Sequence, residues 1–181
     1  MTYPVALVAR GRDVLVVGAG RVGATRARQL VEAGARVTVV ATEVLAPLPE
    51  AVTLHKRRYR RRDARRSFLV VAATGDRRLN DRMVRDVARR QGLINVVDDP
   101  LRSSVYFMAQ VQRGDVRVAV TTGGTSPWLA GHVRDLVACA LPEDLAEVAR
   151  ALGDERRRLH AEGHSSEGVD WASVLARRQN R

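Results

Sequence analysis

The stretch DVLVVGAGRVG, residues 13–23, decides the fold of this chain. It opens with a β-branched run that has no helical period, and the pattern Gly18-Ala19-Gly20-Arg21-Val22-Gly23 follows at once. Residues 22–34 then carry apolar side chains at helical spacing and end at a glycine, and residues 35–41 form a second β-branched run. Strand, glycine turn, helix and strand within about 30 residues predict a βαβ unit with parallel strands.

The three glycines have the spacing of a dinucleotide-binding turn, and they lie between a predicted strand and a predicted helix, as that motif requires. Gly18 permits a tight turn, Gly20 lets backbone approach a pyrophosphate, and Gly23 allows close packing of the helix. The helix N-terminus supplies N–H groups and the positive end of a dipole. We therefore favour a nucleotide site over a purely structural glycine turn.

The end of the second strand indicates which dinucleotide binds. An acid there usually bonds the ribose 2′-hydroxyl of NAD. The strand ends VTVVATE, residues 37–43, so Thr42 and Glu43 are the candidates for bonding this ribose. Glu43 lies slightly beyond the usual position of the acid. No arginine follows directly, which argues against NADP. The predicted cofactor is NAD.

The alternation of strand and helix continues to about residue 100. Strands are predicted over residues 52–56, 67–74 and 93–100, and a helix over residues 77–92 turns Leu79, Met83, Val84, Val87 and Ala88 inward. Beyond Pro100, an antiparallel pair with a turn at Gly114-Asp115 and helices over residues 128–141, 143–163 and 169–178 are predicted. The fold class is α/β, a Rossmann-like doubly wound parallel sheet followed by a small α+β region and a helical C-terminal tail.

Charge is the unusual total. Lys and Arg number 31 against 20 acids, a net charge of +11. Such an excess predicts a polyanionic partner, which could be a nucleic acid, a phosphorylated cofactor or a small molecule with several carboxylates. The run HKRRYRRRDARR, residues 55–66, is either a nucleic-acid patch or a solvated loop with a short helix. Its place inside an α/β scaffold favours the loop, so nucleic acid is not the expected partner.

Other side chains restrict the chemistry. The single cysteine, Cys139, fits a reducing cytoplasm and is predicted to be a small buried residue on a helix. No apolar run approaches the ~20 residues that cross a bilayer, and no signal peptide is recognisable. The four histidines lack metal-ligand spacing, so no metal site is predicted.

Two further stretches carry candidate polar groups. INVVDDP, residues 94–100, places Asp98 at the carboxyl end of the fifth strand, facing the nucleotide crevice. Asp99 would then point the other way and shape the turn into Pro100. TTGGTSPWLAG, residues 121–131, predicts a helix start whose hydroxyls and N–H groups could also cradle carboxylates.

In this order, the stretches VLVVGAGRVGATRARQLVEAGARVTVVA, VVAATGDRRLN, INVVDDP and VAVTTGGTSPWLA resemble the precorrin-2 dehydrogenase family. That family includes the N-terminal module of siroheme synthases and the yeast-type bifunctional dehydrogenase/ferrochelatase. The resemblance runs from about residue 3 to residue 140. It implies NAD-dependent oxidation of precorrin-2 to sirohydrochlorin by a homodimer, and it leaves ferrous chelation open.

The resemblance also implies roles for single residues. Asp98 matches the catalytic aspartate. The cofactor-binding positions are Gly18, Gly20, Arg21, Val22, Gly23, Thr42, Glu43, Thr74 and Asn80. The substrate-binding positions are Thr122, Gly123, Gly124, Thr125 and Ser126. Departures from the family pattern are Ala109, where a proline is frequent, and Gly131 or His132, where an arginine is usual.

The implied division is a Rossmann domain over residues 1–110, a dimerisation and substrate region over residues 111–141, and a helical module over residues 142–181. The tetrapyrrole substrate carries several carboxylates, which accounts for the arginine excess. Three alternatives stay open: a different NAD-linked enzyme on the same scaffold, a non-enzymatic NAD-sensing module, and a basic nucleic-acid binder with this fold.

Overall fold

The computed structural model describes residues 2–179 and the side chains of residues 2–176. The chain forms two compact units, which divide between Phe107 and Met108. Within residues 2–179, none of the helices is both long enough and apolar enough to cross a membrane.

The first unit is a parallel sheet of five strands in the order β3-β2-β1-β4-β5. The strands are β1 (Asp13–Ala19), β2 (Arg36–Val44), β3 (Thr53–Lys56), β4 (Leu69–Ala72) and β5 (Leu93–Val96). The helices are α1 (Arg21–Glu32), α2 (Arg61–Ala64) and α3 (Arg77–Ala88), and a 3₁₀ turn covers Pro100–Arg102. This confirms the predicted doubly wound sheet. The strand order reverses between β1 and β4, the position where open α/β sheets bind ligands.

Alternation along the strands builds one core on each face of the sheet. Val14 and Val16 of β1 pack on the face that includes Ala27 and Leu30 of α1. Leu15 and Val17 face the other way, into a cluster with Met83 and Val87 of α3, and both clusters are buried. Full burial of such a side chain contributes about 1.5–3 kcal/mol. The sheet is therefore held rigidly beneath its loops.

Helix α3 departs from its predicted inward face at two positions. Ala88 is exposed, and Asp86 is buried in its place. The hydroxyl of Tyr59 donates a hydrogen bond to Asp86 Oδ2 at 3.2 Å, and Arg89 reaches Oδ1 at 3.2 Å. A buried carboxylate is tolerated because these partners compensate for lost water.

The second unit is a hairpin with helices. Strands β6 (Ala109–Arg113) and β7 (Val116–Val120) pair antiparallel around the predicted turn, and helices α4 (Pro127–Ala140), α5 (Leu145–Ala161) and α6 (Trp171–Gln179) follow. Helix α4 packs on both strands. The predicted division into three domains, at residues 110 and 141, stays a prediction.

Cys139 is exposed, so its predicted burial was wrong. Ala130 is the buried residue of α4. Cys139 lies nine residues later, which is about two and a half helical turns, so its side chain leaves the opposite face of the helix. An apolar sequence around a residue does not show which face of the helix is covered.

Candidate functional site

The glycine turn between β1 and α1 is closed at two glycines and open at the third. Gly18 has a φ of +104°, and a Cβ there would lie 2.2 Å from the carbonyl oxygen of Ala73. A Cβ on Gly23 would lie 2.1 Å from the carbonyl oxygen of Gly18. A Cβ on Gly20 would meet no heavy atom within 4 Å. The turn therefore has space at Gly20, where a pyrophosphate approaches in a dinucleotide site.

The start of α1 has no side-chain cap. Gly20 is the N-cap residue, and the first turn contains no acidic residue. The first backbone bond of this turn runs from the Ala24 N–H to the Gly20 carbonyl at 2.9 Å. The N–H groups ahead of it, including those of Arg21 and Val22, have no intrahelical acceptor. In contrast, Asp76 caps α3 through a bond from the Leu79 N–H at 3.1 Å. The start of α1 is thus suited to an anion.

Beside this turn, β2 continues one residue beyond its predicted end, to Val44. Val17 pairs with Val40 and Ala19 pairs with Val44, so residues 41–43 of β2 lie opposite Gly18 alone. Such an irregularity reorients side chains near functional sites. Thr42 and Glu43 are both exposed here. Their hydroxyl and carboxylate are therefore available at the edge where a ribose is bound in this fold.

Thr74 and Asn80 form a reciprocal pair on the neighbouring loop. Thr74 Oγ1 donates to Asn80 Oδ1 at 2.7 Å, and Asn80 Nδ2 donates to the Thr74 carbonyl at 3.0 Å. The Thr74 methyl group would lie 3.3 Å from a Cβ on Gly18. Asn80 is buried, and its two hydrogen bonds fix Thr74, whose side chain lies beside the glycine turn.

Asp98 lies on the same edge of the sheet. Val17, Ala72 and Val96 are in register across β1, β4 and β5, so the residues after them emerge together. At about 4.8 Å per strand, β5 is roughly 10 Å from β1. Asp98 is exposed, and within residues 2–179 its carboxylate has no hydrogen-bond or ion-pair partner.

The predicted geometry of the two acids needs correction. Strand β5 ends at Val96, and the Asp99 N–H bonds the Val96 carbonyl at 3.2 Å to close a turn. Asp98 is the left-handed residue of that turn, with a φ of +60°. Asp99 pairs with Arg102 at 3.4 Å. Strand alternation therefore does not separate these acids, because neither lies on the strand. The turn directs Asp98 outward, and an ion pair engages Asp99.

Two serines that sequence reasoning missed hold this loop. Ser103 Oγ accepts from the Val96 N–H at 2.9 Å and donates to the Asp99 carbonyl at 3.0 Å. Ser104 Oγ accepts from the Ile94 N–H at 2.9 Å. These hydroxyls provide acceptors for backbone N–H groups on the outer edge of β5, the edge at which a sixth strand would otherwise pair. The adjacent serines after Pro100 were the available signal, but their partners lie 7 to 10 residues away.

The pKa of one cation near the start of α1 is shifted. Burial lowers the pKa of Arg26, whose guanidinium lies 4.4 Å from the centroid of the Phe107 ring. Its Nη1 donates to Gln29 at 2.8 Å. Arginine stays protonated despite such a shift. This cation therefore anchors α1 to the end of the first unit.

The predicted substrate loop belongs to the second unit, and its polar groups largely bond one another. Thr122 Oγ1 accepts from the Ser126 N–H at 3.1 Å, and Ser126 Oγ accepts from the Leu129 N–H at 3.2 Å. Gly123 and Gly124 have φ values of +65° and +86°. Thr125 is exposed, and its hydroxyl has no partner in the described part of the chain. Thr125 is thus the free hydroxyl of the loop.

Among residues 2–179, no three histidine, cysteine, aspartate or glutamate side chains form a group that could hold a metal ion.

These features define a Rossmann-type nucleotide-binding protein, with a glycine turn, an open helix start and polar groups on one edge of a parallel sheet. Residues 5–109 match a family model described as "Putative NAD(P)-binding", and the chain belongs to this NAD(P)-binding family.

Curated relatives are siroheme synthases. The chain is 36% identical over 162 residues to the siroheme synthase of Actinobacillus succinogenes, covering 87% of this chain and 34% of the relative. It is 41% identical over 173 residues to that of Ectopseudomonas mendocina, covering 92% of this chain and 37% of the relative. The chain thus spans about a third of the length of these relatives.

A solved structure extends the similarity over nearly the whole fold. The structure of SirC, precorrin-2 dehydrogenase, matches with a TM-score of 0.75 and 25% sequence identity. The match covers 97% of this chain and 88% of that chain.

Proposed function

We propose that this protein is a precorrin-2 dehydrogenase of siroheme biosynthesis, oxidising precorrin-2 to sirohydrochlorin with NAD⁺. The observation that carries the proposal is the pairing, on one edge of the sheet, of an open glycine turn without a side-chain cap and the Asp98 carboxylate, which has no partner among the described residues. The similarity to SirC, precorrin-2 dehydrogenase, and to siroheme synthases supports this choice of substrate.

The chain has the groups that NAD needs. The space at Gly20 and the N–H groups at the start of α1 would receive the pyrophosphate, and Thr42 or Glu43 would bond a ribose. Thr74, fixed by Asn80, would form the wall beside the glycine turn. When bound, NAD⁺ accepts the hydride that leaves the substrate, and a proton is released with it.

Asp98 would act on the macrocycle. Pyrrole N–H groups are donors, and a carboxylate without another partner can accept from them and orient the ring. The same carboxylate can take up the proton released in the oxidation. The serine-held loop keeps Asp98 in one place, as a catalytic group requires.

The test is anaerobic NADH formation from precorrin-2, compared among Asp98→Asn, Asp98→Gly and Asp98→Ala. Asparagine and glycine tolerate the left-handed turn, whereas alanine strains it. We expect all three variants to lose about 10²- to 10⁴-fold in kcat. Asp115→Asn, which changes an exposed acid on the hairpin turn, is the matched control and should retain full activity.

NAD affinity, measured separately by calorimetry, should stay within a few-fold of wild type in the Asp98→Asn variant. Full turnover in Asp98→Asn would exclude Asp98 as the catalytic group. Tight NAD binding by the wild type without turnover of precorrin-2 would favour the NAD-sensing alternative instead.

A homodimer and a cytoplasmic location belong to the same proposal. Helix α4 exposes Trp128, Leu129 and Leu136, with Trp128 76% exposed. A second copy of the chain would cover such apolar side chains. Light scattering should give twice the monomer mass, and a monomer at all concentrations would contradict the dimer. The single cysteine supports a reducing compartment.

A further inference from the structure

The exposed surface of α3 carries a line of arginines to which the proposed oxidation assigns no role. Arg78, Arg82, Arg85 and Arg89 are all exposed, and we call them the arginine ridge. At 100° per residue, their positions fall within an arc of about 60°, on the side of the helix away from the buried Asn80, Met83 and Val87. The ridge thus lies on the exposed side of α3.

The acids of α2 and α3 do not neutralise the ridge. Arg57 holds Asp63 at 2.8 Å, and Arg102 holds Asp81 at 2.7 Å. Three arginines, Arg61, Arg82 and Arg89, share the single carboxylate of Asp86. Arg78 and Arg85 have no acidic partner within residues 2–179. An excess of positive charge therefore stays on this surface.

This arrangement works against the stability of the helix. Like charges three or four residues apart repel each other on a helix, and the ridge contains three such pairs of arginines. The first turn of α3 also contains no acid, so Arg77 and Arg78 oppose the positive end of the helix dipole. A charge pattern that is unfavourable in the free protein points to a use in binding.

Asp86 makes part of the ridge rigid. Its side chain is 4% exposed and accepts a hydrogen bond from Tyr59, while Arg89 and Arg61 approach it at 3.2 and 3.5 Å. Arg82 lies 4.0 Å away. Guanidinium groups held in place lose less conformational entropy when they meet a partner.

We propose that the arginine ridge docks an acidic helix of a partner protein. Along the axis, the four arginines are separated by about 6, 4.5 and 6 Å. Carboxylates at positions i, i+4, i+7 and i+11 of another helix have the same separations, and each guanidinium can grip a carboxylate in a bidentate manner.

Two other macromolecules fit less well. Among the described residues, no large apolar side chain is exposed between residues 55 and 92, so neither base stacking nor membrane insertion has a platform. A duplex places phosphates on both sides of a major groove about 12 Å wide, so a helix lying there meets them with its flanks. A single outward line of arginines matches one line of acids better.

The test uses the full chain and a labelled alanine-rich peptide of roughly 20 residues, long enough to form a helix, with glutamates at i, i+4, i+7 and i+11. A peptide with the same glutamates in scrambled positions is its control. Fluorescence anisotropy at two salt concentrations should show about tenfold tighter binding of the registered peptide. High salt should weaken that binding.

The variant Arg78→Gln/Arg85→Gln should lose about tenfold in affinity for the registered peptide. The matched control Arg28→Gln/Arg117→Gln removes the same charge from exposed positions outside the ridge and should lose less than about twofold. The melting temperature of the ridge variant should stay equal or rise, because repulsion along α3 is relieved.

Four results would overturn the proposal. These are equal binding of the two peptides, equal loss in the two double variants, a clear fall in the melting temperature of the ridge variant, and stronger ridge-dependent binding to random duplex DNA or to anionic phosphatidylserine vesicles. The third would make the ridge structural, and the fourth would assign it to a different partner.

Discussion

The two units of this chain differ in how completely they cover their own apolar residues. In the first unit, both faces of the sheet are covered, and strand residues such as Val16 and Val70 are fully buried. In the second unit, Val111 and Ala130 are the buried apolar residues among the described side chains, and each keeps 8% exposure. The first unit thus contains a sufficient core of its own, whereas the other described apolar side chains of the second unit stay exposed or only partly buried.

The difference has a plain physical origin. A parallel sheet connected by crossover helices is covered on both faces by its own chain. A two-stranded hairpin offers little area, and isolated hairpins are marginal in water. The site follows the same division. The rigid unit holds the glycine turn and Asp98, and the less buried unit exposes Trp128 and Leu136.

The largest expected effect compares truncation in the two units. Leu15→Ala, at a position 1% exposed, should lower the free energy of unfolding by about 3 kcal/mol. Leu136→Ala, at a position 58% exposed, should change it by less than about 0.5 kcal/mol at concentrations where the chain is monomeric. Urea unfolding measures both. A large loss in Leu136→Ala under those conditions would show that the second unit has a core of its own.

The glycine turn allows fold and cofactor binding to be separated. Gly23→Ala should lower the free energy of unfolding by about 2 kcal/mol, because its Cβ overlaps backbone. In Gly20→Ala, the added Cβ has no protein heavy atom within 4 Å, and the backbone angles at this position suit alanine, so the free energy of unfolding should be unchanged. The affinity for NAD should fall about tenfold or more, because the methyl group occupies the space proposed for the pyrophosphate. Calorimetry with NAD measures the affinity. Unchanged affinity in Gly20→Ala would mean that the cofactor does not occupy this space.

An ion pair in the first unit should also contribute more to stability than an exposed ion pair in the second unit. The pKa of Asp63 is lowered: burial would raise it, but the bidentate bonds from Arg57 and the Arg60 N–H outweigh burial. Asp63→Asn should therefore cost about 1.5–2 kcal/mol at neutral pH. Asp154→Asn breaks an exposed pair with Arg157 in the second unit and should cost less than about 0.5 kcal/mol.

The Asp63 contribution also has a defined pH dependence. Because the folded pKa is lowered, the stabilisation is complete above the unfolded value of about 3.9 and is lost as pH falls through the folded value. The difference between wild type and Asp63→Asn should then shrink in acid. Urea unfolding across that pH range measures it, and a constant difference would contradict the assignment.

The helix starts should contribute less to stability than the core or the Asp63 ion pair. Ser126 caps α4, so Ser126→Ala should lower the free energy of unfolding by about 1 kcal/mol. Asp76→Ala at the start of α3 should cost a similar amount. Thermal unfolding measures both. A negligible loss in Ser126→Ala would indicate that α4 is stabilised by its packing alone.

Much of the fold and part of the site could be predicted from local pattern. The β-branched runs, the glycine spacing and the helical period identified the sheet, the crossover and the position of the nucleotide turn. Pattern was a poor guide where polar side chains find distant partners. The burial of Asp86 depends on Tyr59, 27 residues away, and the loop after β5 depends on hydroxyls that bond backward to the strand.

Asp98 shows the division most clearly. By itself, the sequence determined that an acid follows the fifth strand at the carboxyl edge of a parallel sheet, because strand direction follows from the βαβ pattern. Only the tertiary structure decided which acid is free, since a left-handed turn turns Asp98 outward while Arg102 engages Asp99. Local periodicity specifies which element a residue belongs to, but the partners of a charged side chain are set by residues that meet only after the chain has folded.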